Sequence, residues 1–242
     1  MLGKIIKYDF RAMSKIMVPV YICMLAISVV LAFMIKINIQ EGFIFAIFIS
    51  LFTSIMSASV VITAIFVIKR FVDGLLKNEG YLSFALPVKT STHILAKVIN
   101  TLIWVSLEVL AIILSGLIMI LILSSVKEIV EGFRNIIRIF GYVDFEFYRD
   151  LFNMLFMMGL ELISVICYVY AGYAIAHLFE KHKTLIMIAF FIFVSTFKSI
   201  FVVPFLINSN NILLFTYTDA IISIIVYSLL TWYILDRKLN LE

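Results

Sequence analysis

The chain has 242 residues, 64% of them hydrophobic and only 14% charged, with a formal net charge of +4 and a mean hydropathy of +1.16. A soluble domain of this length needs far more polar cover, so the composition excludes a water-soluble globular protein and points to an integral membrane protein. The two cysteines, Cys23 and Cys167, lie in different apolar runs and suggest neither a disulfide framework nor a metal-binding pair.

At the N-terminus, Leu2, Ile5, Ile6, Phe10, Met13 and Met17 follow helical i, i+3, i+4, i+7 spacing, while Lys4, Lys7, Arg11 and Lys15 take the other face. This pattern predicts an amphipathic interfacial helix lying on anionic headgroups; a frayed polar terminus is the alternative. Six apolar runs follow, at 16–35, 43–68, 98–123, 151–179, 185–207 and 212–235. Each has the roughly 20 residues needed to cross a hydrocarbon core. Lipid forces every backbone group to bond within its own segment, which predicts six transmembrane helices in one all-α domain spanning 1–242. The run at 16–35 is full length and is followed by Lys36, so it is read as the first span and not as a secretory signal.

In the second span, Ser50, Thr53, Ser54, Ser57, Val61 and Ala64 share one helical face. Small and hydroxylated residues let helices approach closely, and packing is the usual meaning of such a face. Asp73 and Gly74 loosen the end of that span. Leu75, Leu76, Tyr81, Leu82 and Phe84 then alternate with Lys77, Asn78, Glu79 and Ser83 until Pro87, which cannot continue a helix and biases Leu86 away from helical geometry. Thr90 or Ser91 caps the next helix. The segment thus predicts a short helix, a fixed bend and a rigid re-entry into the third span.

Between the third and fourth spans, Val126, Ile129, Val130, Phe133, Ile136, Ile137 and Phe140 form an apolar face opposite Lys127, Glu128, Glu131, Arg134 and Arg138, with Gly141 as a stop. This second amphipathic helix either lies flat on the outer leaflet or caps the mouth of a pore. Between the fourth and fifth spans, His177, Glu180, Lys181 and His182 form a short polar turn. Their spacing is wrong for one helical face, so a docking turn is preferred to a metal or catalytic role.

Four charges fall inside the spans. Glu108 lies about 16 Å past Lys97 and Glu161 about 15 Å inward from Leu151, which brings both acids near the midplane. Lys198 lies about 21 Å into its span and Asp219 about 10 Å down from Ile212, at matching depth. A charge at the bilayer centre costs about 2.5–3.5 kcal/mol on insertion scales, so these residues are expected to face the bundle interior and find partners. Lys198 with Asp219 is the first pair by depth, either as an internal clamp or as an outer gate. Glu108 and Glu161 are expected to bond neighbouring Ser, Tyr or Trp side chains, with protonation the alternative for Glu161.

Lys and Arg are retained on the cytoplasmic side of short loops. Lys4, Lys7, Arg11 and Lys15, then Lys69, Arg70, Lys77, Lys89 and Lys97, then Lys181 and Lys183, and finally Arg237 and Lys238 mark alternate segments. Both termini are therefore expected inside, which makes the 126–140 helix external and the 78–88 segment cytoplasmic. Topology accounts for the positive charge, and nucleic acid need not be invoked.

The run Glu79, Gly80, Tyr81, Leu82, followed by Leu86, Pro87, Val88 and the later Lys97, resembles the segment between the second and third spans of bacterial type-2 ABC transporter permeases. Six spans, two cytoplasmic ends, an N-terminal amphipathic helix and a second short turn extend the resemblance to the whole chain. It implies a coupling helix at Asn78, Glu79, Gly80, Tyr81, Leu82, Phe84, Leu86, Pro87 and Val88 that docks on a separate ATPase subunit binding ATP and Mg. It further implies two ATPase copies, a second permease copy in a homodimer or a pseudo-symmetric heterodimer, and the bacterial plasma membrane as location. In such permeases the second and fifth spans often line the path, which would place Ser50, Thr53, Ser54 and Ser57 at the seam. Small permeases of this pattern include exporters of amphipathic toxin peptides such as the phenol-soluble modulins.

A phosphate-cradling G-x-x-x-x-G-K-[ST] loop is missing, since only Gly3 precedes a lysine and it opens no such loop. The chain is not expected to be an enzyme or to hold a cofactor itself. An apolar interior favours amphipathic peptides or lipid-like cargo over sugars and ions. Two rival classes are an ion-coupled secondary transporter using Glu108 and Glu161, and an intramembrane enzyme, for which His177 lies at the wrong depth relative to both acids.

Overall fold

The computed structural model describes residues 2–39, 42–77, 80, 88–142, 144–179, 181–204 and 212–237. Every element among them is helical: α1 Leu2–Lys36, α2 Phe43–Phe71, α3 Thr90–Leu123, α4 Val126–Tyr142, α5 Phe145–His177, α6 Lys183–Phe197 and α7 Ile212–Arg237. Two helices run on into π-helical turns, α2 through Val72–Leu76 and α6 through Lys198–Val202. Counting these extensions, six helices among the described residues are long and apolar enough to cross a membrane. The seventh, α4, is amphipathic, and Val126, Phe133 and Ile137 on its apolar face are exposed.

The N-terminal amphipathic stretch is not a separate element. Residues 2–36 form one continuous helix with Pro19 inside it. No glycine or turn residue lies between the amphipathic stretch and the first span, so the helix carries through, with Pro19 removing one N–H from its hydrogen-bond ladder. Its apolar face is also covered by protein, with Met13 and Met17 buried in a cluster with Val67 and Trp104.

The chain packs as two compact units. One contains 7–67 and 102–149, that is, most of α1, α2, the later part of α3, and α4. Its core is Met13, Met17, Val67 and Trp104, flanked by Tyr21, Ile62, Phe66 and Leu107. Phe10 stacks on Trp104 with 4.9 Å between ring centroids. Lys36 Nζ donates to the Ile122 carbonyl at 2.7 Å, placing a cation on the orphan carbonyls that end α3. Ser125 caps α4: its N–H donates to Glu128 Oε2 at 2.7 Å and its Oγ accepts from the Glu128 N–H at 3.4 Å, a reciprocal capping box. The Ser125 N–H first, and the Ser125 hydroxyl second, hold the Glu128 carboxyl below its ordinary value.

The other unit contains 1–6, 68–101 and 150–242, and so the end of α2, the first turns of α3, and α5, α6 and α7. Tyr168 of α5 donates to the Phe191 carbonyl of α6 at 2.9 Å and sits 5.2 Å from the Tyr227 ring of α7. One turn further along α5, Gly172 leaves room for the Phe191 ring; a Cβ there would lie 2.5 Å from Phe191 Cε1. Beyond that contact α6 is bare, with no buried residue between Lys183 and Phe197.

Candidate functional site

Three polar constellations stand out against the apolar helices. The first frames the residues that join α2 to α3. Coming out of α2, Phe71, Leu75 and Leu76 are buried, and Lys77 closes the π-turn with an ion pair to Asp73 at 3.0 Å. Entering α3, Ile94, Ala96, Lys97 and Thr101 are buried. Tyr170 of α5 holds both ends: its ring stacks on Phe71, with 3.9 Å between centroids, and its Oη lies 2.6 Å from Thr101 Oγ1. Across the gap, Lys97 lies over Gly74, where a Cβ would meet Lys97 Nζ at 2.7 Å. A side chain at Gly74 would thus displace a buried ammonium. Among the expected coupling residues, Gly80 and Val88 are described, whereas Asn78, Glu79, Tyr81, Leu82, Phe84, Leu86 and Pro87 lie outside the described residues.

On the same unit, α3, α5 and α7 enclose a groove of about 770 Å³, with Ile94, Val98, Ile163, Leu229 and Trp232 along its body. Lys89 and Asp236 lie at its polar end, where Thr90 Oγ1 donates to Asp236 Oδ1 at 2.9 Å.

The second constellation surrounds Glu108. This residue of α3 is buried, and its two carboxyl oxygens lie 2.6 Å from Ser59 Oγ and 2.8 Å from Thr63 Oγ1 of α2. Ser59 and Thr63 are four residues apart, one turn of helix, so they present two hydroxyls side by side to one carboxyl group. Thr63 also reaches Met17 Sδ of α1 at 3.5 Å.

The third constellation joins α6 to α7. Lys198 Nζ donates to Asp219 Oδ2 at 2.9 Å and to Ser223 Oγ at 2.8 Å. Lys198 begins the π-turn, whose wider repeat is seen in the Val203 N–H donating to the Lys198 carbonyl five residues back. A cavity of about 440 Å³ adjoins the pair, lined by Phe193, Phe197, Phe215 and Tyr227 among others. Lys198 and Asp219 are about a third and a fifth exposed, so the pair is partly open rather than sealed.

The remaining sequence candidates are scattered. Glu161 is half-buried in α5. Ser50, Thr53, Ser54 and Ser57 lie exposed along α2, and the hydroxyls of Ser50, Thr53 and Ser57 bond back to carbonyls of their own helix. His177 ends α5 half-buried, Lys181 and His182 are exposed, and Glu180 lies outside the described residues. Among the described residues no group of His, Cys, Asp and Glu could hold a metal ion. Sequence reasoning missed Ser59, Thr63 and Tyr170. Only the four-residue spacing of Ser59 and Thr63 could have signalled the first two, and it pointed to a different face from the small-residue stripe.

The chain matches no protein-family model, no curated protein and no solved structure.

Proposed function

We propose that this chain is the membrane-spanning permease subunit of an exporter driven by a separate ATP-hydrolysing partner, moving amphipathic cargo, peptides foremost, out of a bacterial cell. The observation that carries the reading is the framed segment between α2 and α3. Its sequence, Glu79-Gly80-Tyr81-Leu82 through Leu86-Pro87-Val88, resembles a coupling helix, and both of its flanks are anchored to α5 through Tyr170. A push delivered to a segment with fixed ends moves the helices behind it; a slack loop would absorb the push.

Further support comes from surfaces that the single chain leaves uncovered. The Ser50, Thr53, Ser54 and Ser57 face of α2 in one unit, and most of α6 in the other, are exposed, and each suits contact with a second permease copy. The apolar groove with its polar end suits an amphipathic solute better than a sugar or an ion. In this reading both termini are cytoplasmic, α4 is external, and two ATPase copies bind ATP and Mg beneath Asn78–Val88 and the His177–His182 turn.

The reading is tested by replacing Glu79 or Tyr81 with alanine. Export and the ATPase response to cargo are expected to fall while membrane insertion is retained. Unchanged export together with unchanged capture of the ATPase subunit overturns the proposal.

A second reading, ion-coupled transport through the buried carboxylates, is favoured by one observation: Glu161 is half-buried in α5 with no hydrogen-bond or ion-pair partner among the described residues. Transport that survives ATP depletion but collapses with the proton gradient selects this reading over the first.

A further inference from the structure

The hydroxyls around Glu108 determine how many protons the cluster holds. Ser59 Oγ lies 2.6 Å from Glu108 Oε1 and also 2.8 Å from the carbonyl oxygen of Met56, one turn back in α2. Thr63 Oγ1 lies 2.8 Å from Glu108 Oε2. A serine hydroxyl has one proton to give, while a backbone carbonyl and an ionised carboxylate can only accept.

With Glu108 ionised, Ser59 would face two acceptors with a single proton. One of its two short contacts would then set lone pair against lone pair. The negative charge would also lie buried with no cation to offset it, because no Lys, Arg or His is within ion-pair reach of Glu108 among the described residues. Facing the carboxyl from α1 is Tyr21, whose buried hydroxyl can donate a hydrogen bond to either form of the acid but brings no positive charge. On α2 the facing groups are the two hydroxyls.

A proton on Oε1 removes both conflicts. Glu108 O–H donates to Ser59 Oγ, Ser59 O–H donates to the Met56 carbonyl, and Thr63 O–H donates to Oε2. Three protons then serve three short contacts, and the cluster is neutral. The 2.6 Å separation is within the range of an O–H···O bond. Burial of a neutral acid among hydroxyls also avoids placing an isolated charge in the membrane.

We propose that Glu108 is an intramembrane proton-binding site, a carboxylic acid that donates its proton to Ser59 and joins α2 to α3 without a charge. The assignment does not depend on what the protein transports, and it gives Glu108 and Glu161 different roles. Glu108 has both oxygens engaged within the helix pair, whereas Glu161 has no partner among the described residues.

Infrared difference spectroscopy of the purified protein in lipid bilayers tests the assignment. Glu108→Gln is expected to remove a protonated-carboxyl C=O band seen in the wild type at neutral pH, a band that shifts in heavy water. Loss confined to carboxylate bands overturns the proposal. Should Glu108→Gln fail to insert, the same question is put to Glu161→Gln protein carrying carboxyl-¹³C glutamate. An isotope-shifted acid band is expected, and its absence is fatal. Ser59→Ala reports the direction of the bond: the acid band is expected to rise in frequency once its acceptor is gone, and an unmoved band overturns Glu108 as the donor.

Discussion

The ring of Tyr170 lies flat on that of Phe71, with 3.9 Å between centroids and 5° between planes. Phe71 is the last residue of α2, and the hydroxyl of the same tyrosine meets Thr101 in α3 at 2.6 Å. One side chain of α5 therefore fixes both flanks of the segment from 77 to 89, the ring doing so by dispersion and the hydroxyl by hydrogen bonding. The two contributions can be separated. Tyr170→Phe keeps the stack and gives up the hydroxyl, while Thr101 Oγ1 still reaches the Lys97 carbonyl at 2.9 Å, so the expected cost is about 1 kcal/mol. Tyr170→Ala loses the ring as well and is expected to cost about 3–5 kcal/mol. Unfolding in detergent measures both, and equal stability of the two variants would show that the stack contributes nothing.

Much of this fold is legible from hydropathy, because a bilayer demands long apolar helices and the six runs in the sequence are unambiguous. Pairing Lys198 with Asp219 was within reach too, since residues on helices consecutive in the chain can be matched by depth. The partners of Glu108 were not. Depth narrows a partner to a layer, but the direction in which a side chain points around its helix depends on packing, and the serine-rich stripe of α2 drew attention to the opposite face from Ser59 and Thr63. Tyr170 was invisible for a related reason: in a chain with 11 tyrosines, nothing marks the one whose ring and hydroxyl are both used. Continuity of α1 also escaped periodicity, because an amphipathic pattern looks the same whether its apolar face meets lipid or the side chains of Val67 and Trp104.

The close approach of α5 and α6 makes Gly172 sensitive to any side chain. A methyl group there would lie 2.5 Å from Phe191 Cε1 and 3.2 Å from Phe190 Cδ1. The Phe191 ring has limited freedom to withdraw, since the Tyr168 hydroxyl holds the carbonyl of the same residue at 2.9 Å. Gly172→Ala is expected to destabilise the protein by about 1–3 kcal/mol, the usual cost of overpacking. Adding Phe191→Leu is expected to recover part of the loss, and thermal unfolding of the two variants in parallel checks this.

At the start of α4, the exposed Glu128 carboxyl is held below its ordinary value of 4.5 by the Ser125 N–H first and the Ser125 hydroxyl second. A carboxyl whose folded value is depressed lends stability above its unfolded value and loses it as pH falls through the folded one. The first turn of α4 is therefore expected to fray on acidification below about pH 4.5, and Glu128→Gln is expected to lack that dependence. Amide exchange at residues 126–131, corrected for intrinsic rates, measures it. Wild type and variant responding alike to acid would remove the capping box as the cause.

Lys198 and Asp219 permit the sharpest test of an intramembrane pair, because the ammonium is shared between a carboxylate at 2.9 Å and the Ser223 hydroxyl at 2.8 Å. Removing one member strands the other charge at a partly covered site, whereas removing both strands nothing. Breaking a fully buried pair costs about 3–5 kcal/mol, and the partial exposure of these two side chains reduces that to about 1–3 kcal/mol, since solvent screens what it reaches. Asp219→Asn is expected to be the milder change, because an amide oxygen can still accept from Lys198. Lys198→Met leaves the carboxylate without its cation and is expected to be the harsher. The double variant is expected to be more stable than the sum of the two single losses predicts, with a coupling energy of about 1 kcal/mol or more. A double-mutant cycle on unfolding in bilayer-like detergent measures that coupling, and strict additivity would mean that the two groups act independently despite their contact.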